Sequence, residues 1–186
     1  MPPRPIVLAE HDPAWQHAFA REAGRIRPAF GSLLVELHHI GSTAIPNIRA
    51  KPVIDILAVI VDVQTLDTRS KDFEALGYEV MGEFGLPGRR YFRRDDSAGV
   101  RTHQLHAYAP ESSREIERHL DVRDFLRQNP DVASAYDALK LVLVDRCRDD
   151  MRCYSDGKTT FIREVEHRAA RWKRDSRVDR RPYSDR

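Results

Sequence analysis

Gly41 and Ser42 end the run Leu33 to Ile40, and thirteen residues after Ser42 a single aspartate, Asp55, stands in the apolar stretch Val53 to Val61. Glycine lets a backbone approach a ligand closely, and the Ser42 and Thr43 hydroxyls with neighbouring amides suit phosphate oxygens. A lone carboxylate inside an apolar strand must be hydrogen-bonded, paired with a cation or bound to a metal ion. Candidate cations follow. Arg49 and Lys51 lie between the turn and Asp55, where they would neutralise phosphate charge. Arg89 and Arg90 enter a strand after the Gly85 to Gly88 turn, and alternation sends one to the site and one away. Lys140 borders the apolar stripe of a helix, and Lys158 follows Ser155-Asp156-Gly157 near a helix start, a favourable place for an anion. Each feature alone has a structural reading as a turn, a paired acid or a solvated charge. Together they point to an anionic ligand.

The elements that must hold these residues follow from periodicity. Asp12-Pro13 opens an amphipathic helix over 13–28 on the stripe Trp15, Phe19, Ala23 and Ile26. Leu33 to Ile40 reads as a strand, and Val53 to Val61 as a central strand covered on both faces. A helix over 65–76 closes at Gly77. Tyr78 to Gly82, Arg90 to Arg94 and Thr102 to Tyr108 read as a three-strand meander, with Gly and Asp turns between them. The last third is helical, at about 112–127, 130–147 and 159–172. The order describes an α+β domain, a mixed sheet covered by helices.

Spacing and order resemble the nucleotidyltransferase superfamily of polymerase-β-like fold. His39-Ile40-Gly41-Ser42-Thr43-Ala44-Ile45-Pro46, Lys51-Pro52-Val53-Ile54-Asp55-Ile56 and Gly88-Arg89-Arg90-Tyr91-Phe92 are similar to the GrpB-like family. So are Thr102-His103-Gln104-Leu105-His106, Tyr136-Asp137-Ala138-Leu139-Lys140 and Tyr154-Ser155-Asp156-Gly157-Lys158, and the resemblance runs from about Val7 to Ala169. It implies a metal-dependent transfer of a nucleotidyl group from a nucleoside triphosphate to an unnamed acceptor. In that reading Asp55, Lys140 and Lys158 are catalytic, and Gly41, Ser42, Thr43, Lys51 and Arg90 hold phosphate. Members also resemble domains fused to dephospho-coenzyme A kinase.

One departure bears on activity. The superfamily's metal pair should fall on Asp55 and residue 57, which share a strand face, but residue 57 is leucine. A substitute is expected from the strand carrying Thr102, Gln104 and His106 on one face and His103 on the other. If that strand neighbours Asp55, His106 or Gln104 takes roughly the third-carboxylate place. His106 would complete a divalent metal site with Asp55, for magnesium or manganese, although imidazole suits zinc, iron or manganese better. A hydrogen-bonded core histidine is the plain alternative. With Leu57 the chain also reads as a non-catalytic nucleotide- or phosphate-binding module. The test is whether Ser42, Asp55 and His106 meet in one cleft.

Composition narrows the rest. The 186 residues fit one domain, with 41% hydrophobic and 32% charged residues, so wholesale disorder is excluded. No apolar run approaches a membrane span, and no secretory signal is expected at the N-terminus. Net charge is +2, but residues 168–186 carry +5 and the remainder −3, so the body is not a basic nucleic-acid binder. The domain is expected over 1–173, followed by an Arg-rich disordered tail, 174–186, able to touch RNA or an acidic partner at most. Cys147 and Cys153 are too few for a disulfide framework and suit a reducing, cytoplasmic setting. Basic charge is almost all arginine: 26 Arg against 5 Lys.

Overall fold

The computed structural model describes residues 5–178. Helix α1 (Ala14–Phe30) precedes strands β1 (Leu34–Ile40) and β2 (Ile54–Ile60). Two short helices, α2 (Val63–Asp67) and α3 (Ser70–Ala75), lead to β3 (Glu79–Val80), β4 (Arg89–Asp95) and β5 (Arg101–Tyr108). Four helices close the described chain: α4 (Ser113–Gln128), α5 (Pro130–Cys147), α6 (Met151–Gly157) and α7 (Thr159–Val178). The sheet order is β1-β2-β5-β4-β3, with β2 and β5 parallel and the other pairs antiparallel. This is the expected α+β fold with its mixed sheet and meander.

Alternation along β2 divides the core. Ile54, Ile56, Ala58 and Ile60 face α1 and α3 with Phe30, Phe73, Phe92 and Leu105. Leu57 points the other way and packs with Ile40, Tyr108, Ile116 and Leu120 beneath α4. A further cluster joins Phe125 and Leu126 of α4, Tyr136 of α5, and Val165 and Ala169 of α7. The sheet therefore has one face built against α1 and α3, and one against the C-terminal helices. Asp55 lies on the second face.

Several expectations need correction. The helix read over 65–76 breaks into α2 and α3, and α6 was not foreseen. Within α6, Gly157 has no room for a side chain, because a Cβ there would overlap Leu143 of α5. The last helix continues past 172 to Val178, so the first five residues of the expected tail are helical; 179–186 lie outside the described residues. Docking explains the extension: Trp172 packs edge-on to Phe125 at 6.0 Å, and Lys173 lies 3.7 Å from Asp121 of α4. The two cysteines are not free thiols. Cys147 and Cys153 are joined in a disulfide that links the end of α5 to α6, a pairing that oxidising compartments favour. Among the described residues no helix is long and apolar enough to cross a membrane.

Candidate functional site

Ile40 of β1 stands opposite Asp55 of β2, so the turn after β1 begins over that carboxylate. Gly41 has φ +70°, and a Cβ at this position would overlap the Asp55 carboxylate. Backbone conformation and close approach therefore both demand glycine. Residues 42–44 make one tight turn, in which the Ala44 amide donates to the Gly41 carbonyl at 3.2 Å and the Ile45 amide to the Ser42 carbonyl at 3.1 Å. That geometry leaves Ser42 at the edge of a cleft of about 250 Å³.

Six side chains give the cleft its chemistry: Ser42, Lys51, Asp55, Gln104, Lys140 and Lys158. Three of the chain's five lysines thus meet here, from the loop before β2, from α5 and from the junction of α6 and α7. Lys140 is 1% exposed; its ammonium donates to the Arg49 carbonyl, lies 3.6 Å from Asp137 and sits 4.9 Å above the Tyr136 ring. Lys158 sits 4.4 Å above Tyr154, whose ring also lies 5.9 Å from Lys51. Among the described residues, Asp55, Lys51 and Lys158 take part in no ion pair within 4.0 Å. Burial consequently moves their titrations. It pushes the Asp55 carboxyl up to about 6 against the pull of Lys51 and Lys158. It lowers Lys140 to about 8 despite Asp137, and lowers Lys158 to about 8 with Lys51 adding to the effect. Lys51 is also lowered, by desolvation first.

Not every expected residue arrives. Ser42, Thr43, Lys51, Asp55, Lys140 and Lys158 line the cleft, and Gly41 shapes its rim. The Thr43 hydroxyl is already committed, since it donates to the Val53 carbonyl at 3.3 Å and lies 2.9 Å from His39 Nε2. Arg90 does not reach the site. Its guanidinium spans both oxygens of Asp67 on the opposite face, because Arg90 is in register with Ala107. Arg89 takes the site face but is pinned, donating to the Phe84 carbonyl at 2.8 Å and the Glu83 carbonyl at 3.2 Å. Arg49 is likewise spent on Glu10 and Asp137.

His106 is the main correction. Register pairs Asp55 with Gln104 and Leu57 with His106, one side-chain repeat deeper under α4. There His106 Nδ1 lies 3.4 Å from Arg89, and its ring is 5.6 Å from that of His119. Burial, with Arg89 and Arg118 nearby, lowers its pKa to about 3. Ser42 and Asp55 share the cleft; His106 does not line it. Gln104 occupies the place expected of a third ligand, accepting from the Tyr91 hydroxyl at 3.0 Å. Leu57 is core, with no exposed surface. The donors at the floor are thus one carboxylate and one amide, ringed by three ammonium groups. Among the described residues no group of three or more His, Cys, Asp or Glu is placed to hold a metal ion. This set does not fit a two-metal centre.

Sequence reasoning missed Tyr154 as the surface on which two lysines rest. It also left a signal unused. In a chain that writes basic charge as arginine, each lysine was worth marking, because lysine pKa shifts readily on burial whereas arginine stays charged.

The family model described as "GrpB protein" matches residues 5–168. The chain belongs to the GrpB family. A crystal structure of the conserved protein GrpB from Enterococcus faecalis is similar, with TM-score 0.86 and 38% identity over 90% of this chain and 99% of that one. The "UPF0157 protein YqkA" of Bacillus subtilis (strain 168) is 37% identical over 93% of this chain, which spans half of that relative's length. A dephospho-CoA kinase of Mycolicibacterium paratuberculosis is 27% identical over 90% of this chain and 47% of its own length. The matched span, residues 5–168, contains every residue that lines the cleft.

Proposed function

We propose that the cleft binds the phosphate chain of a nucleotide or similar phosphate ester, with lysine charge in the place of a metal pair. One observation carries this reading: three lysines face one carboxylate in a single hollow, beside a Gly-Ser turn whose Ser42 hydroxyl lines it and hydrogen-bonds with Tyr136. The two cleft lysines with pKa near 8 remain mostly charged at neutral pH, so the hollow holds excess positive charge in a partly desolvated setting. A phosphate supplies the missing anion and accepts from Ser42. The kinase likeness supports a nucleotide-related setting, and the acceptor of any transfer is left open.

Metal-dependent nucleotidyl transfer, with magnesium or manganese on Asp55, is the second reading. Its support is the half-buried Asp55, whose pKa of about 6 would suit proton acceptance from an acceptor hydroxyl. Against it, the cleft floor offers one carboxylate and one amide, which do not make the usual metal pair.

Calorimetric titration with inorganic triphosphate separates the two. The lysine reading expects binding in EDTA, weakened at least tenfold by Lys158→Gln. Asp55→Asn should strengthen binding at pH 8 by removing a repelling charge, and change little at pH 5, where Asp55 is already protonated. Binding that needs magnesium and is lost in Asp55→Asn would favour the transferase. No triphosphate binding in either condition overturns both.

A further inference from the structure

A second hollow, of about 150 Å³, opens on the other side of the same turn beneath α4, α5 and α7. Ser42 lines both hollows, and Tyr136 walls the second while Lys140 of the cleft rests 4.9 Å from its ring. Ser42, hydrogen-bonded with Tyr136, is the wall that the two hollows share.

The two hollows differ in charge balance. In the cleft, Lys51 and Lys158 have no ion-pair partner among the described residues. In the second hollow the cations are already neutralised. Arg118 donates to Glu115 and to Glu166, each at 2.9 Å. Arg123 donates to Asp124 at 2.7 Å and to the His39 carbonyl at 3.2 Å. Most of the remaining wall is apolar, from Ile45, Val122, Leu126 and Ile162. Phosphate gains nothing from guanidiniums that hold carboxylates, whereas an uncharged ring gains apolar contact and exclusion of water. The size is also telling, since a cavity of about 150 Å³ is enough for one benzene ring.

We propose that the second hollow is the subsite for a single aromatic ring carried by the phosphate ligand, a pyrimidine nucleoside being of that class. This rests on the phosphate reading of the cleft and adds what lies at the ligand's other end. The ligand crosses Ser42, with its phosphates among the lysines and its ring between α4, α5 and α7.

The test compares CTP with inorganic triphosphate on the full chain, by calorimetry in EDTA. CTP is expected to bind at least tenfold tighter, although it carries no more negative charge. Val122→Phe, which fills the hollow from α4, should erase that gain and leave triphosphate affinity within twofold. Ile162→Phe fills it from α7 and should do the same, so a folding defect in one variant does not decide the outcome. Equal affinity of the wild type for both probes overturns the ring subsite and leaves the phosphate reading standing. Binding of neither probe overturns both.

Discussion

On the face covered by α1 and α3, Glu22 is 4% exposed and fully engaged. Arg25 donates to both of its oxygens at 3.0 Å, Arg94 lies 2.9 Å away, and the Tyr78 hydroxyl donates at 2.9 Å. On the opposite face Asp55 has lysines around it but, among the described residues, no ion pair within 4.0 Å. Both are acids in a largely apolar setting, and the sheet treats them in opposite ways. Glu22 is part of a closed network in which every charge has a partner, so its role is complete within the chain. Asp55, Lys51 and Lys158 form an open set whose titrations are displaced toward the neutral forms. An open set of buried charge costs stability and is retained where a ligand completes it.

The largest effect expected from this contrast is at Glu22. Glu22→Ala leaves Arg25, Arg94 and Tyr78 without their shared acceptor and should cost about 3–5 kcal/mol in urea unfolding. A loss below about 1 kcal/mol would show that the network is not closed by this carboxylate.

Gly41→Ala comes next. It forces a side chain into a backbone region that essentially only glycine occupies, and against the Asp55 carboxylate. Strain of about 1–3 kcal/mol is expected, together with at least tenfold weaker triphosphate binding as the turn shifts. Unchanged binding would mean that Ser42 is not held in place by this turn.

Asp55→Asn should act with the opposite sign to Glu22→Ala. Since folding raises the Asp55 pKa from 3.8 to about 6, the folded state holds its proton more tightly than the unfolded state does. Stability therefore falls as pH rises between those values, and the penalty is complete above about pH 6. Removing the charge should stabilise the protein by on the order of 2 kcal/mol at pH 8, and by almost nothing at pH 3.5. Thermal melts of both proteins across this range check it. A destabilised variant at pH 8 would mean that Asp55 is an engaged acid like Glu22.

The smallest effect is expected at Arg90, whose partner Asp67 is nearly half exposed. Arg90→Gln should lower stability by less than about 1 kcal/mol and leave triphosphate affinity unchanged. A tenfold loss of affinity would return this residue to the site.

Much of this was legible along the chain because it is local. The apolar run around Asp55, the Gly-Ser turn before it, and the capping residues need only neighbours to act. Asp12 shows this: its carboxylate accepts from the Ala14 amide at 2.8 Å and starts α1 as its sequence position suggests. The meander was equally readable from its turns. The gaps have physical causes as well. The segment read as one helix over 65–76 is two, because the chain bends at Thr68 and Arg69, where the Thr68 hydroxyl turns back onto the Thr65 carbonyl at 2.7 Å. Residues 151–157 lack the length for a helical period to show, and α6 is held by Tyr154, Leu143 and the disulfide.

The sequence by itself determined that a glycine turn and a serine end one strand and that a lone carboxylate stands thirteen residues later in the next. Thirteen residues of extended chain reach roughly 40 Å, so it was the antiparallel pairing of β1 with β2 that set the turn over Asp55. It also determined that the strand through Asp55 is buried, because Val53 to Val61 is apolar on both alternating faces. Which side chains join them was decided only in three dimensions. Alternation said that Arg89 and Arg90 part company, but the pairing of β4 with β5 chose the side. The parallel register of β2 and β5 set Gln104, not His106, beside Asp55. Likewise the packing of α5 and α6 brought Lys140, within α5, and Lys158, just past the end of α6, to the same hollow. A register shift of one residue turns every side chain of a strand to the other face, and no local pattern encodes that choice.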